Sequence, residues 1–168
     1  MVTLVLGGAR SGKSAVAEAL AARAAPPVTY LATGVVTDDD MAARIAAHQA
    51  RRPPDWSTAE AGADLAGALR DLSGTVLLDA LGTWVAARLD TVDEAAFDDL
   101  CLALAARPGV TVVVSDEVGL GVHPSSEIGR HFRDLLGDLN QRVAAVADEV
   151  LLVVAGRVLP LARFEGLG

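Results

Sequence analysis

A short apolar run near the start of the chain, Val2–Leu6, stops at the glycine pair Gly7–Gly8. Such a run predicts a strand that is buried on both faces, as strands inside a parallel sheet are. The segment that begins at Lys13 is rich in alanine and leucine and predicts a helix. A buried strand, a glycine-rich turn and a helix in direct succession restrict the chain to folds in which a helix begins at the carboxyl edge of a sheet.

The rest of the chain repeats this alternation. Apolar, β-branched runs predict further strands, and alanine- and leucine-rich segments predict further helices. The strands are expected at 28–33, 75–78, 110–115, 149–154 and 157–161, and the helices at 38–52, 62–72, 91–106 and 127–147. The pattern predicts an α/β fold: a mostly parallel sheet flanked by helices, with one antiparallel C-terminal strand after the break at Ala155–Gly156. We expect residues 1–168 to form a single domain.

Helix starts can be predicted from capping residues. Thr91-x-x-Glu94 has the form of a capping box, and Ser125 or Ser126 is expected to cap the last helix. The apolar face of that helix is predicted to consist of Ile128, Phe132, Leu135, Leu139, Val143 and Val146.

Composition and charge narrow the classes of function. The chain is 52% hydrophobic and has a net charge of −8, which predicts a globular domain and disfavours a nucleic-acid partner. A mononucleotide remains compatible, because it can be held locally. Cys101 is the only cysteine, so we expect a buried thiol rather than a disulfide or a metal cluster. No apolar run approaches the roughly 18 residues of a membrane span, and no basic leader is seen, so we expect a cytoplasmic protein.

The glycine-rich turn has the pattern Gly7-x-x-x-x-Gly12-Lys13-Ser14, and Lys13 is the only lysine among 14 basic residues. Between a strand and a helix, this pattern predicts a P-loop whose backbone N–H groups converge on phosphate. A compact ammonium suits such a loop better than a planar guanidinium. We expect Lys13 to reach the β- and γ-phosphates and Ser14 to bind Mg²⁺. The predicted nucleotide-binding residues of the loop are Gly7, Gly8, Ala9, Arg10, Ser11, Gly12, Lys13 and Ser14.

A second candidate site lies in the segment MAARIAAHQARRP. In a helix, Arg44 lies one turn before His48, and Arg51 and Arg52 lie one turn after it. Guanidinium groups bind phosphate, and neutral imidazole is a competent nucleophile, so one interpretation is a nucleophilic histidine at a phosphate site. The alternative is that His48 packs beside the apolar residues before it, and that the arginines are an ordinary basic helix end.

Five parts of the chain carry a family pattern: GGARSGKS, YLATG, DDDMAARIAAHQARRP with WSTAE after it, SDEVGLGVHP, and RHFRDLLGDLNQRVAAVADEV. Together they resemble the bifunctional adenosylcobinamide kinase/adenosylcobinamide-phosphate guanylyltransferases of cobalamin biosynthesis. The resemblance extends from about Val2 to Leu159. It implies a P-loop NTPase fold of the RecA-like type, in one nucleotide-binding transferase domain.

The resemblance also implies two reactions that use Mg²⁺ with GTP or ATP. In the first, the γ-phosphate of ATP or GTP is transferred to a hydroxyl of adenosylcobinamide. In the second, His48 attacks the α-phosphorus of GTP, and the GMP is then passed to adenosylcobinamide phosphate to give adenosylcobinamide-GDP. The family is trimeric, so the resemblance implies a homotrimer.

Further site residues come from the resemblance, and one departs from the family pattern. The implied nucleotide contacts are Ala32, Thr33, Gly34, Gln49, Ala50, Arg51, Arg52, Glu60 and Asp79. Asp79 closes an apolar strand, where a carboxylate can bind Mg²⁺. The family more often has Asn where this chain has Asp116, and the extra carboxylate would repel phosphate or add a metal ligand. Glu117 is the candidate for orienting the attacking hydroxyl or a metal-bound water. We expect His123 and His131 to be structural, with contact to the substrate as the alternative. We expect Trp56 and Trp84 to pack in the core, with contact to the corrin ring as the alternative.

Two other functions stay open at this point. One is a small-molecule P-loop kinase without a covalent nucleotidyl step, in which His48 only binds phosphate. The other is an ATP-driven motor or regulatory binding module, which would need a surface for a polymer or protein partner. The negative net charge disfavours a nucleic-acid polymer as that partner.

Overall fold

The computed structural model describes residues 1–34 and 52–164. In these ranges the chain forms seven strands in one sheet, with helices on both faces. The strands are β1 (Val2–Gly7), β2 (Val28–Ala32), β3 (Ser57–Glu60), β4 (Thr75–Asp79), β5 (Thr111–Asp116), β6 (Glu149–Val154) and β7 (Arg157–Pro160). The helices are α1 (Lys13–Arg23), α2 (Leu65–Asp71), α3 (Leu81–Ala86), α4 (Glu94–Ala106) and α5 (Glu127–Val146).

The strands lie in the order β3-β2-β4-β5-β1-β6-β7. All neighbouring pairs are parallel except β6 and β7, which form an antiparallel hairpin. The turn of this hairpin places Ala155 and Gly156 at φ values of 50° and 72°, the left-handed geometry that a tight two-residue hairpin requires. The predicted α/β fold, with its single antiparallel C-terminal strand, is confirmed.

The sheet separates two apolar clusters. Successive side chains of a strand point to opposite faces, so Leu4 enters the cluster beneath α2–α5, whereas Val5 enters the one beneath α1. Phe97 and Leu136 fill the first cluster from α4 and α5, and Ala17 of α1 contributes to the second. Burial on both faces explains why the central strands are mostly apolar.

Two elements escape sequence-based prediction. Strand β3 is an edge strand with Ser57, Thr58 and Glu60 exposed, so it has no apolar run. Helix α3 has only six residues, too few for a helical period to be recognised. The helix expected at 38–52 lies outside the described residues, except for its last residue.

The structure also corrects some details of the helices. Helix α4 is capped by Asp93, whose carboxylate accepts a 3.0 Å hydrogen bond from the N–H of Ala96, and not by the predicted Thr91 capping box. Ser126 caps α5 through the N–H of Gly129. On α5, Leu136 is fully buried whereas Ile128 is 64% exposed, so the buried face is rotated from the predicted one.

Candidate nucleotide site

The turn between β1 and α1 is closely packed. A side chain at Gly7 would lie 2.8 Å from the carbonyl oxygen of Val153, so no larger residue fits there. Gly12 has φ 94°, a left-handed conformation that favours glycine. Within the turn, the Ser11 N–H donates to the Gly8 carbonyl at 3.2 Å, and the Ser11 hydroxyl accepts from the Lys13 N–H at 3.3 Å. The loop is therefore held in one compact conformation at the start of α1.

The β6–β7 hairpin supports this loop from the other side. The N–H of Gly156 donates a 2.8 Å hydrogen bond to the carbonyl of Ser11. A side chain on Gly12 would approach the Cα of Gly156 to 3.3 Å. The C-terminal hairpin turn therefore fixes the middle of the glycine-rich loop, a contact that no sequence motif indicated.

Lys13 points toward the end of β5. Its Nζ lies 2.7 Å from Oδ1 of Asp116 and 3.4 Å from the carbonyl oxygen of Gly8. Parallel pairing of β1 with β5 sets Gly7 opposite Asp116, so the loop and this carboxylate leave the sheet side by side. The Asp116 carbonyl accepts a 3.1 Å hydrogen bond from Asn140 of α5, which helps to hold the end of β5 in place.

A second group of polar side chains surrounds Asp79 at the end of β4. The Tyr30 hydroxyl donates a 3.0 Å hydrogen bond to Oδ2 of Asp79. The Cζ atom of Arg52 lies 3.3 Å from the centroid of the Tyr30 ring, a cation–π contact. Burial raises the pKa of Tyr30 well above its ordinary value, and the negative charge of Asp79 raises it further. The phenol therefore stays protonated and remains a hydrogen-bond donor to Asp79.

The segment after β2 is tied to the start of α3. Thr33 is buried, and its hydroxyl lies 2.6 Å from the Ala80 carbonyl, 2.9 Å from the Ala80 N–H and 2.6 Å from the Thr83 hydroxyl. Ala32 lies between Glu60 and Asp79 in the sheet, because β2 pairs in parallel with both β3 and β4. Thr33 therefore has a structural role at the end of β2. Glu60 is exposed and lies opposite Ala32 on the edge strand β3.

Five neighbouring strands end at predicted site residues. In sheet order these are Glu60 on β3, Ala32 on β2, Asp79 on β4, Asp116 on β5 and Gly7 on β1. Ligands of open parallel sheets bind at this carboxyl edge. His48, Gln49, Ala50 and Arg51 lie outside the described residues. The predicted site residues that the structure describes thus lie at the carboxyl edge of the sheet, although they are scattered along the sequence.

Other candidates have structural contacts. Glu117 accepts a 2.7 Å hydrogen bond from the N–H of Gly119, and His123 Nδ1 lies 2.7 Å from Nη1 of Arg133. His131 is exposed on α5. Trp84 is buried and packs against Phe97, as expected. Trp56 is half-buried against the cluster beneath α1.

Sequence reasoning missed Tyr30 and Asn140. Each acts through a residue on another element. Both lie in segments of the family pattern, but the sequence does not indicate the contacts with Asp79 and Asp116 that give them a role. The predicted buried thiol, Cys101, is only half-buried, and burial raises its pKa.

A phosphate loop joins β1 to α1, and β5 lies between β1 and β4, the strand that ends in Asp79. This arrangement defines the P-loop nucleotide-binding proteins of RecA-like fold. The chain is similar to a prototypical ATPase from the type III secretion system of pathogenic bacteria, with a TM-score of 0.54 over 90% of this chain and 50% of that one. At 15% identity this likeness concerns the fold alone.

Comparison of sequences assigns the family. The model of the cobinamide kinase/cobinamide phosphate guanyltransferase family, CobU, matches residues 3–161, and the chain belongs to this family. It is 43% identical to the bifunctional adenosylcobalamin biosynthesis protein CobU of Salmonella typhimurium, over 93% of this chain and 97% of that protein. It is 41% identical to the bifunctional adenosylcobalamin biosynthesis protein CobP of Pseudomonas aeruginosa, over 96% and 97%. The resemblance seen in the sequence is confirmed, and with it the assignment to a bifunctional enzyme family of cobalamin biosynthesis.

Proposed function

We propose that this protein catalyses two successive reactions of cobalamin biosynthesis. It phosphorylates adenosylcobinamide with ATP or GTP, and it then transfers GMP from GTP through His48 to the substrate phosphate, giving adenosylcobinamide-GDP. The observation that carries this proposal is the P-loop of a CobU-family chain, with Lys13 held at the edge where four other strands end in predicted nucleotide-site residues.

In the kinase step, the loop residues 7–14 bind the phosphates through their backbone N–H groups and Lys13. The acceptor hydroxyl attacks the γ-phosphorus while the bond to the bridging β–γ oxygen breaks, so ADP or GDP leaves. We assign Glu117 the role of orienting that hydroxyl, because it directly follows the end of β5 and its N–H donates to the Gly7 carbonyl at 3.1 Å. The proton of the hydroxyl passes to this carboxylate or to water.

The residues present suit a magnesium ion bound together with the nucleotide. The described part of the chain has no cluster of three or more His, Cys, Asp or Glu side chains, so most ligands would be phosphate oxygens and waters, the coordination that Mg²⁺ prefers. The Ser14 hydroxyl and the Asp79 carboxylate are the protein oxygens that we assign to it. When bound, the ion neutralises the charge that develops on the phosphates.

In the guanylyltransferase step, a ring nitrogen of His48 forms a bond to the α-phosphorus of GTP as the α–β bond breaks and pyrophosphate leaves. The substrate phosphate then displaces the histidine and takes the GMP. Gln49, Ala50, Arg51 and Arg52 contact the nucleotide in this proposal. The position of Arg52 supports it, because the guanidinium stacks on Tyr30 in the same group of side chains as Asp79.

We further propose a cytoplasmic homotrimer without a nucleic-acid partner. Strand β7 is an edge strand with all of its residues exposed, which leaves one row of backbone groups open to pairing. Apolar side chains at and beyond this edge, Val158, Leu159, Leu161 and Phe164, are between 41% and 71% exposed. An exposed apolar strip of this kind fits contact with a second copy of the chain.

In the described residues, no helix combines the length and apolar character needed to cross a membrane.

The proposal is tested with GTP labelled at the α-phosphate. Wild-type protein incubated with Mg²⁺ should retain label after denaturation, and the label should be lost in acid but survive base, as a phosphorus–nitrogen bond does. His48→Ala should carry no label, whereas the control His131→Ala, which removes an exposed histidine of α5, should be labelled normally. Absence of label on a wild type that binds nucleotide would favour a small-molecule kinase without a covalent step.

A further inference from the structure

The P-loop lysine has a protein counter-charge. Nζ of Lys13 lies 2.7 Å from Oδ1 of Asp116, and the two side chains are 14% and 33% exposed. Solvent screens a half-buried pair of this kind less than it screens a surface pair. The ammonium that the loop offers to phosphate is therefore already neutralised by a carboxylate of the same chain.

The position of this carboxylate is determined by the backbone around it. The parallel register of β1 and β5 sets Asp116 opposite Gly7, and the Asp116 carbonyl is bound by Asn140, whose own oxygen accepts a 2.6 Å hydrogen bond from Ser115. On its other side, the carboxylate lies over Gly82, where a side chain would approach Oδ2 to 2.5 Å. The absence of a side chain at Gly82 leaves room for the carboxylate beside Lys13.

We propose that Asp116 competes with nucleotide phosphate for Lys13 and that, once released, its carboxylate makes the site select nucleotide carrying Mg²⁺ over metal-free nucleotide. Phosphate oxygens and the Asp116 carboxylate are both anionic, and a single ammonium serves both. A metal-free nucleotide must separate the ion pair and leave the carboxylate beside its own negative charge. A nucleotide that carries Mg²⁺ has less net negative charge, so the released carboxylate repels it less.

This inference rests on the nucleotide site proposed above, and it assigns Asp116 a positioning role rather than a place in the chemical step. A purely structural ion pair would make a different prediction. If Asp116 only held Lys13 in place, its removal would disorder the lysine and weaken nucleotide binding. If it competes with phosphate, its removal strengthens binding of the metal-free nucleotide.

The test compares the dissociation constant of GTP for wild type, Asp116→Asn and Asp116→Ala, measured by calorimetry with EDTA and again with excess Mg²⁺. Both variants should bind metal-free GTP about five- to tenfold more tightly than wild type, the effect of about one partly buried ion pair. Their affinity for GTP with Mg²⁺ should rise by a smaller factor, because the ion pair must still be separated but the metal offsets the repulsion by the carboxylate, so the preference for the metal-bound nucleotide falls. The Asn variant keeps the shape of the side chain and the Ala variant removes it, so agreement between them assigns the effect to the charge.

The matched control is Asp90→Asn, which removes the same charge from an exposed turn after α3. It should leave both dissociation constants unchanged, and an equal gain in affinity there would overturn the inference in favour of a general effect of net charge. Unchanged or weaker binding of metal-free GTP by both Asp116 variants would also overturn it, while leaving the proposed function intact. A wild type that binds GTP under neither condition would overturn the nucleotide site itself.

Discussion

The hydroxyl of Tyr30 donates a hydrogen bond to Oδ2 of Asp79 across the boundary between two neighbouring strands, at a distance of 3.0 Å. Tyr30 lies on β2 and Asp79 is the last residue of β4. The bond orients a carboxylate that we assign to Mg²⁺, and the same tyrosine ring supports Arg52 on its face. A side chain that is not itself a predicted nucleotide-site residue therefore links two that are.

The protonation of this tyrosine predicts a pH dependence of stability. Burial raises the pKa of Tyr30 in the folded state, with a further contribution from Asp79, whereas an unfolded tyrosine ionises near pH 10. Above that pH the unfolded state binds fewer protons than the folded state, so the free energy of unfolding falls as pH rises and is unaffected by this group below it. The chain has a single tyrosine, so phenolate absorbance reports Tyr30 alone.

We expect phenolate absorbance to appear only together with alkaline unfolding. The free energy of unfolding of Tyr30→Phe should decline less steeply above pH 10 than that of wild type, and at neutral pH it should be lower by about 1 kcal/mol for the lost hydrogen bond. Ionisation of the folded protein near pH 10 would contradict the raised pKa.

Lys13→Met should abolish nucleotide-dependent activity without unfolding the protein. Loss of a charged phosphate ligand is expected to lower the rate of GMP labelling by about 10² or more, and Lys13→Arg should not restore it, because the planar guanidinium does not fit the closed loop. The free energy of unfolding should change by about 1 kcal/mol or less, since only a half-buried ion pair is lost. Arg23→Met, at the exposed end of the same helix, is the control. Normal labelling of Lys13→Met would remove the loop from the active site.

Asp79→Asn should change the dependence of the reaction on magnesium. The amide oxygen still accepts from Tyr30, so the fold is preserved, but an anionic metal ligand is lost. Initial rates of labelling measured over a range of Mg²⁺ concentrations should fall by about 10² and should require more metal. Asp71→Asn, at the exposed end of α2, should follow the wild-type curve. A variant at Asp79 that also followed that curve would show that this carboxylate does not bind the metal.

Arg107 is predicted to matter for stability and not for activity. The buried guanidinium donates to the carbonyls of Leu69 and Gly74 at 2.8 Å each, to the carbonyl of Leu72, and to the Thr111 hydroxyl at 3.0 Å, all at the amino edge of the sheet, away from the P-loop. Burial also lowers its pKa. Arg107→Met should reduce the free energy of unfolding by about 2–4 kcal/mol in urea titrations, because several carbonyls lose a charged donor.

The control for that variant is Arg157→Met, which removes an exposed guanidinium from β7 and should change the free energy of unfolding by less than about 0.5 kcal/mol. Below the unfolding transition, Arg107→Met should bind GTP as wild type does. A loss of GTP affinity in the folded variant would contradict the purely structural role.

Leu159→Asp should weaken self-association. The residue is 57% exposed on the edge strand β7, and a charge there disfavours both apolar contact and strand pairing with another copy. Sedimentation velocity should show a smaller species than for wild type at the same protein concentration. Leu102→Asp, at a residue that is 66% exposed on α4, is the matched control and should sediment as wild type does. Equal sedimentation of both variants and wild type would exclude β7 as the contact.

The strongest sequence signals were local ones. Predicted strands and helices agree with the structure wherever an apolar run or a helical period was long, as for β1, β5 and α5. Prediction failed for β3 and α3, because one is a polar edge strand and the other has six residues. Thr91 and Asp93 are both capping residue types, so the sequence does not determine which of them caps α4.

By itself the sequence determined that a phosphate loop follows a buried strand and opens a helix, because Gly7, Gly12, Lys13 and Ser14 are neighbours in the chain and need only local geometry. Only the tertiary structure decided that Lys13 meets Asp116, that Tyr30 meets Asp79, and that the Gly156 turn supports the loop. These contacts depend on the order and register of the strands. That order follows from the packing of two apolar clusters over the whole sheet, and no short segment of sequence specifies it.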